Sequence, residues 1–168
     1  EPLSEILPRV GRFGLGTTAV TNVLAARNGR RVGLITTRGF ESLVPMARGR
    51  WAWDDGWLIP PAQILHRREI MGVRERVDRC GAIVEPMLES DVIDAAKQLI
   101  DQGIEAIAIS FLWSFLNPVH EARAVEILRD RFPGLHIESG AALLPVMREY
   151  DRTTFALLNA YTSGALRG

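Results

Sequence analysis

EAIAISFLW, the stretch from Glu105 to Trp113, is almost entirely apolar and has the length of a single β-strand. A strand without alternating polar residues is typical of a parallel sheet that is covered by helices on both faces. Amphipathic helical patterns flank it, LESDVIDAAKQLIDQG before it and NPVHEARAVEILRDRFPG after it. The order helix, strand, helix with short connections predicts parallel βαβ units and therefore an α/β fold.

The end residues of the two flanking helices predict where each begins and stops. Ser90 is the expected N-cap of the first helix, and Gly103 is its expected C-terminal stop. Asn117 is the expected cap of the second helix, with Pro118 at the first helical position.

The same alternation of helices and strands continues toward both ends of the chain. Apolar spacing predicts a short helix from Thr17 to Arg27, closed by Gly29 in a left-handed conformation, and a buried strand from Arg30 to Thr37. The further predicted elements are a strand over Glu69–Val77, a strand over Leu135–Ser139 and a long final helix that begins near Arg148.

Residues 41–66 show neither a helical nor a strand period. Pro60-Pro61 forbids regular structure around it, and three tryptophans lie just before it, between Trp51 and Trp57. We therefore expect a long irregular loop that serves an interface or a functional role.

The composition is that of one globular domain. The 168 residues are 47% hydrophobic, and the 20 basic and 20 acidic residues cancel, so we expect neither nucleic acid nor an anionic membrane as a partner. The longest apolar runs are too short to cross a bilayer. Cys80 is the only cysteine, which excludes an intrachain disulfide and favours a reducing, cytoplasmic location.

GLGTTAVTNVL, from Gly14 to Leu24, is the candidate phosphate loop of the chain. Its glycine spacing satisfies the relaxed dinucleotide fingerprint G-x-G-x-x-A. A proline and two arginines interrupt the segment before it, however, and no acid follows at the distance that binds ribose. A dinucleotide site is therefore disfavoured, while Arg38, which could hold a 2′-phosphate, keeps an NADP-binding oxidoreductase domain as an alternative.

A phosphate site of another kind fits the same loop. Gly16 lets the backbone approach a ligand closely, and the hydroxyls of Thr17 and Thr18 lie beside the N-terminal amides of the predicted helix, where the dipole favours an anion. Capping of the helix by Thr17 or Thr18 is the commoner use of threonine at this place, and it is the alternative.

The other polar residues predict no metal site and no activated nucleophile. The histidines are scattered along the chain, and His120 with Glu121 is interpreted as a surface or cap pair. Near the start of the final helix, Arg148 and Arg152 are candidate ligand-binding arms. Pairing with two neighbouring acids at helical spacing explains the same cluster structurally, and the catalytic residues stay unassigned.

Four segments taken together resemble the hydantoinase A / 5-oxoprolinase family, which includes N-methylhydantoinase A and ATP-dependent carboxylase subunits. The segments are GTTAVTNVLAARNGRRVGLITTRGFES, VRERVDRCGAIVEPM, GIEAIAISFLWSFLNPVHEARAVEILR and LLPVMREYDRTTFALLNAY, in family order between Phe13 and Tyr161. Gly-Thr-Thr combined with the later Asn-Pro-x-His-Glu and Arg-Glu-Tyr-x-Arg patterns is far more specific than any short motif.

The resemblance implies part of an actin-like ATPase (ribonuclease H-like) lobe, with nucleotide bound in a cleft between two lobes. It also implies that ATP, with Mg²⁺, is used to open a cyclic amide such as hydantoin or 5-oxoproline, or to carboxylate a ketone. The residues expected at the nucleotide or substrate cleft are Gly16, Thr17, Thr18, Asn22, Arg148 and Arg152. Leu15 departs from the family pattern, because many relatives carry histidine immediately before Gly-Thr-Thr.

By the same resemblance, residues 1–147 are the N-terminal domain of such an enzyme, and residues 148–168 are the first helix of the following catalytic domain, truncated. The phosphate hairpin with which family members begin is expected upstream of Glu1, so the chain alone is expected to be inactive, with most Mg²⁺ ligands elsewhere. A partner subunit or a homo-oligomer is expected. A non-catalytic assembly subunit, with the tryptophans at an interface, is a further alternative.

Overall fold

A computed structural model describes residues 10–11, 18–49 and 51–164 of the chain. Within these residues the strands, in chain order, are β1 (Val32–Thr37), β2 (Ala52–Asp54), β3 (Trp57–Ile59), β4 (Ile70–Val73), β5 (Arg76–Val77), β6 (Ile83–Glu85), β7 (Ala106–Ser110) and β8 (His136–Ser139). The helices are α1 (Ala19–Ala26), α2 (Leu43–Met46), α3 (Glu89–Asp101), α4 (Val119–Arg131), α5 (Gly140–Leu143) and α6 (Glu149–Thr162).

The central sheet has four strands in the order β4, β1, β7, β8, and each neighbouring pair is parallel. This arrangement confirms the predicted α/β fold with parallel βαβ units. Two small antiparallel pairs, β2 with β3 and β5 with β6, stand apart from the sheet.

The strands β1 and β7 are buried along their whole length because helices cover both faces of the sheet. Ile35, Ile107 and Ile109 pack with α3 and α4 on one face. Leu34 and Ala108 pack with α6 on the other face, where side chains of α1 join the same cluster. Alternate residues of each strand thus enter different apolar clusters, which explains why EAIAISFLW carries no polar alternation. Among the helices of residues 18–164, none is both long and apolar enough to cross a membrane.

The predicted ends of α3 and α4 are mostly correct. Gly103 follows α3 with φ +78°, as expected of a C-terminal stop. Asn117 Oδ1 accepts the Val119 N–H (3.2 Å), although α4 begins at Val119 and not at Pro118. The prediction that Ser90 caps α3 is wrong.

The helix α3 begins at Glu89, one residue before the predicted cap, and the residue at the cap position is Leu88. The Leu88 N–H donates to the Arg74 carbonyl (2.9 Å), and this bond fixes the chain direction just before the helix. Ser90 therefore lies inside the first turn. The strand predicted over Glu69–Val77 is likewise divided, because β4 ends at Val73 and β5 begins at Arg76.

Gly29 does not close α1 in a left-handed conformation. The left-handed residue is Arg27 (φ 51°), whose backbone N–H bonds to the Val23 carbonyl. Gly29 is required for a different reason, because a Cβ at this position would overlap the ring of Tyr161. The glycine therefore marks close packing of the loop on α6.

The prediction of an irregular loop over residues 41–66 is wrong in part. The segment contains α2 and a β-hairpin, β2 with β3, whose two turn residues are Asp55 (φ 43°) and Gly56 (φ 82°). Asp-Gly between apolar residues is a strong hairpin signal, since both positions of the tight turn require positive φ. Trp53 is 71% exposed and Trp57 is 77% exposed, so the hairpin presents apolar rings to solvent.

Candidate functional site

Polar side chains gather where the four parallel strands end. Ligands of open α/β sheets bind outside the carboxyl ends of the strands, so this edge is the place to look for a site. We call the polar residues that meet here the carboxyl-edge network. Its members are Thr37, Glu75, Ser110, His120, Glu121, Ser139, Arg152 and Thr153.

Glu75 joins three elements of this network. One carboxylate oxygen accepts the Thr37 hydroxyl, and the other lies 2.8 Å from His120 Nδ1. Thr37 Oγ1 also accepts the Leu112 N–H (3.0 Å). The Glu75 side chain is fully buried, and its contact with Nδ1 fixes the orientation of the His120 ring.

Glu121 holds the ends of β7 and β8 together. Its oxygens accept the Phe111 N–H (2.8 Å), the Ser139 hydroxyl (2.7 Å) and the Ala141 N–H (2.8 Å). Glu121 is 1% exposed and His120 is 7% exposed. The interpretation of these two residues as a surface or cap pair is therefore wrong, because both side chains turn inward at the start of α4 to bind the sheet edge.

Arg152 lies at the centre of the edge and is fully buried. Its Nη2 donates to the Phe111 carbonyl (2.9 Å), and its Nη1 donates to the Val146 carbonyl (3.0 Å). The nearest carboxylate is Glu149, 3.6 Å away and one helical turn earlier. Gly140 leaves the space for this side chain, since a Cβ there would lie 3.1 Å from Arg152 Cγ.

Arg148, the other predicted arm, has a different environment. It is exposed, it has φ 87°, and its side chain has no hydrogen bond or ion pair within the described residues. The predicted pairing of this cluster occurs only in part. Glu149 pairs with Arg152, whereas Asp151 pairs with Arg48, which is distant in sequence (3.2 Å).

The glycine-threonine loop is described only at its end. Gly16 and Thr17 lie outside the described residues, so their predicted roles stay predictions. Thr18 precedes α1 at the cap position, but its side chain makes no capping hydrogen bond. Its Oγ1 instead accepts Asn22 Nδ2 at 3.4 Å, and both side chains are exposed. No hydrogen bond or ion pair among the described residues joins Thr18 or Asn22 to the arginines of α6.

Arg38, the candidate for a 2′-phosphate, is bound to an acid of α3. Asp91 accepts from Arg74 at 2.7 and 2.8 Å and from Arg38 at 3.3 Å. The hydrogen bond from the Arg74 side chain, assisted by the Arg74 N–H and by Arg38, lowers the pKa of Asp91 to about 2. This cluster clamps the ends of β1 and β4 to the start of α3.

The low pKa of Asp91 predicts a pH-dependent stability. A carboxyl with a depressed folded-state pKa stabilises the fold above its unfolded pKa, and this contribution disappears as the pH falls toward the folded value. We expect Asp91→Asn to lower the free energy of unfolding by about 1–2 kcal/mol near neutral pH, since solvent around the half-exposed arginines screens the pair.

Denaturant titrations of both proteins between pH 6 and pH 2 measure this effect. The difference between wild type and variant should shrink from pH 4 downward. Asp94→Asn, at an exposed position of the same helix, is the control and should give a small difference. A difference for Asp91→Asn that stays constant down to pH 2 contradicts the assignment.

Within the described residues, no group of three or more His, Cys, Asp or Glu side chains is arranged to hold a metal ion. The carboxylates at the sheet edge are occupied by internal hydrogen bonds instead. What this chain offers at the edge is therefore a rigid polar platform with Arg148 exposed beside it.

Comparison with known proteins gives a consistent picture. Residues 4–132 match the family model described as the hydantoinase/oxoprolinase N-terminal region. The chain is 36% identical to the acetophenone carboxylase gamma subunit of Aromatoleum aromaticum, over 98% of this chain and 24% of the relative. It is also 36% identical to the caprolactamase subunit alpha of Pseudomonas jessenii, over 88% of this chain and 22% of the relative.

Two solved structures share the fold. The ATP-dependent caprolactamase from Pseudomonas jessenii superposes with a TM-score of 0.83 at 30% identity, covering 98% of this chain and 26% of that one. The nucleotide-free acetone carboxylase superposes with a TM-score of 0.80 at 29% identity, covering 89% and 23%. This likeness confirms the predicted fold class, part of an actin-like ATPase lobe. The chain spans about a quarter of the length of these relatives.

Proposed function

Since the chain belongs to the hydantoinase/oxoprolinase family, as its N-terminal region, we propose that it forms part of an ATP-dependent enzyme that opens a cyclic amide or carboxylates a ketone. The observation that carries the proposal is the equal similarity, 36%, to a ketone carboxylase subunit and to a lactamase subunit. Hydantoin and 5-oxoproline are the cyclic amides that we favour as substrates. An NADP-dependent oxidoreductase finds no support in the matched family.

We propose that the chain supplies one wall of the ligand cleft at the carboxyl edge of the sheet. Phosphoryl transfer is catalysed chiefly by positioning and by stabilisation of charge. The carboxyl-edge network supports positioning because most of its side chains are buried and all of them are hydrogen-bonded at the strand ends. Arg148 is the exposed cation beside it, and Thr18 and Asn22 are exposed polar groups at the start of α1.

ATP would supply the phosphoryl group that activates the amide or ketone oxygen. The described residues offer no cluster arranged to hold Mg²⁺, and its ligands are expected mainly outside this chain. We propose a domain boundary between residues 147 and 148, where the sequence of one family domain ends and that of the next begins. The boundary does not separate two packed units, because α6 packs directly on β1 and β7. A cytoplasmic location and a partner subunit belong to the same proposal.

The proposed activity is tested with the intact enzyme that contains this chain. ATP consumption is measured with hydantoin, 5-oxoproline or a ketone plus labelled bicarbonate, each against a control without substrate. Substrate-dependent formation of ADP or AMP together with ring opening, or with fixation of the label, supports the proposal. Absence of nucleotide turnover with every one of these substrates contradicts it.

The 168-residue chain alone is expected to bind Mg-ATP weakly and to show no turnover, because the phosphate hairpin and most Mg²⁺ ligands are expected outside it and the described residues hold no group arranged for a metal ion. Isothermal titration with Mg-ATP measures this directly. A sub-micromolar dissociation constant, which corresponds to more than about 8 kcal/mol of binding free energy, would contradict the expectation.

Thr18→Ala tests the predicted contact between the start of α1 and the ligand. Because Thr18 makes no capping hydrogen bond, we expect a stability change within about 0.5 kcal/mol. In the intact enzyme, turnover should fall by about tenfold or more if the hydroxyl binds the ligand. Ser163→Ala, which removes a hydroxyl bonded only within its own chain segment, serves as the matched control for turnover. Loss of stability without loss of turnover would favour the capping interpretation.

The exposed tryptophan hairpin favours a second role beside catalysis, that of an assembly surface. Trp53 and Trp57 project from both faces of a two-stranded hairpin, and exposed apolar patches mark interaction sites. Relatives of this chain are named as gamma, alpha and beta subunits. Replacing both tryptophans by serine should weaken assembly of the intact enzyme without unfolding the chain.

A further inference from the structure

A cavity of about 350 Å³ opens at the edge of the sheet opposite to the carboxyl-edge network. Val32, the first residue of β1, and Glu69, which precedes β4, lie in its wall, so the cavity lies at the amino ends of the strands. Its size falls within the range of small-molecule sites. The proposed function uses none of the residues that line it.

The charges in this wall are unbalanced. Arg27, Arg30 and Arg31 line the cavity together with a single acid, Glu69. Glu69 is 5% exposed and is already bonded, at 3.5 Å to Arg31 and at 2.7 Å to the His66 N–H. The side chains of Arg27 and Arg30 have no hydrogen bond or ion pair within the described residues. Two of the arginines that line the cavity therefore have no compensating carboxylate among the described residues.

The rest of the wall contains two polar residues, Gln63 and His66, and an apolar part that is closely packed. Leu24, Ile64 and Tyr161 line it, and the backbone at Gly29 lies directly against the Tyr161 ring, so that a Cβ would overlap it. Arg27 holds a left-handed backbone (φ 51°), which costs a non-glycine residue on the order of 1 kcal/mol.

We propose that this cavity binds a small phosphorylated molecule with a ring or other apolar portion, at a site separate from the ligand cleft at the carboxyl edge. Guanidinium groups bind phosphate oxygens in a bidentate manner, which suits the unpaired Arg27 and Arg30. The apolar portion of the ligand packs on Leu24, Ile64 and the Tyr161 ring. The proposal does not depend on the function proposed above, because its test requires no turnover.

Phenyl phosphate is the probe, and inorganic phosphate and phenol are its two halves. Binding to the 168-residue protein is followed by NMR chemical shifts at constant ionic strength, with an expected dissociation constant of about 0.1–1 mM for phenyl phosphate. Phenol and inorganic phosphate are each expected to bind at least about tenfold more weakly, since each engages only one part of the cavity.

The variant Arg27→Ala with Arg30→Ala is expected to weaken phenyl phosphate binding at least about tenfold. Arg131→Ala, which removes one exposed charge on α4 across the sheet, should leave it unchanged. The double variant Arg27→Lys with Arg30→Lys keeps the two charges but loses the bidentate geometry. If the alanine variant fails to fold, the lysine variant is compared with the wild type in phenyl phosphate binding instead. No binding to the wild type, or equal binding to wild type and both arginine-pair variants, overturns the proposal.

Discussion

Replacing Glu121 by alanine is expected to lower the free energy of unfolding by about 3–5 kcal/mol, because the change leaves three donors at the sheet edge without an acceptor. The donors are the Phe111 N–H, the Ser139 hydroxyl and the Ala141 N–H. Glu121 is 1% exposed, so water cannot replace the lost bonds without opening the structure. A domain of this size is stable by about 5–15 kcal/mol, and the variant will approach the limit of folding.

Urea denaturation followed by circular dichroism measures the loss, with Glu126→Ala as the matched control on the same helix. The Glu126 side chain is 70% exposed and, among the described residues, pairs only with Arg123, so its replacement should change stability by less than about 0.5 kcal/mol. Glu121→Gln keeps an acceptor oxygen and should lose less than the alanine variant. Equal stability of the Glu121 and Glu126 alanine variants would show that the three hydrogen bonds do not hold the edge together.

The parallel sheet could be predicted from the sequence because its signals are local. EAIAISFLW is almost entirely apolar, and Gly103 and Asn117 lie within a few residues of the helix ends that they predict. The hairpin at Asp55-Gly56 carries an equally local signal and could have been found. Gly29, by contrast, is needed because the loop packs closely on Tyr161, and no local pattern reports that contact.

The carboxyl-edge network could not be predicted because its bonds join residues that are far apart in the chain. Thr37 and Glu75 are 38 residues apart, and Ser110 and Thr153 are 43 apart. A buried acid at the start of a helix has the same sequence pattern as an exposed capping pair, so the sequence alone predicts Glu121 at the surface. Only the burial of the side chain distinguishes these two cases, and that burial depends on a sheet edge formed by other segments of the chain.

The segments that carry the family resemblance meet at this network. VRERV contributes Glu75, NPVHE contributes His120 and Glu121, and MREYDR contributes Arg152. The patterns therefore describe residues that bind one another and hold the strand ends in place. It follows that much of the family signature in this chain has a structural basis, and that ligand contacts are to be sought among the exposed residues beside the network.

Arg148 and Arg152 allow these two roles to be separated with a matched pair of substitutions. Arg152→Met removes a fully buried cation and leaves the carbonyls of Phe111 and Val146 without donors, so we expect a loss of about 2–4 kcal/mol in the free energy of unfolding. Arg148→Met removes an exposed side chain without partners in the described residues and should change stability by less than about 0.5 kcal/mol.

In turnover of the intact enzyme we expect the reverse order, with the larger loss in Arg148→Met and the smaller loss in Arg152→Met. If the exposed guanidinium of Arg148 stabilises charge on the ligand, Arg148→Met should lower kcat by about 100-fold. Arg152→Met is expected to lower the amount of folded enzyme while the kcat of the folded part changes less. Wild-type turnover in Arg148→Met would exclude this arginine from the cleft. Wild-type stability in Arg152→Met would mean that its bonds to the two carbonyls contribute nothing to the fold, and it would favour the predicted role of Arg152 as a ligand-binding arm.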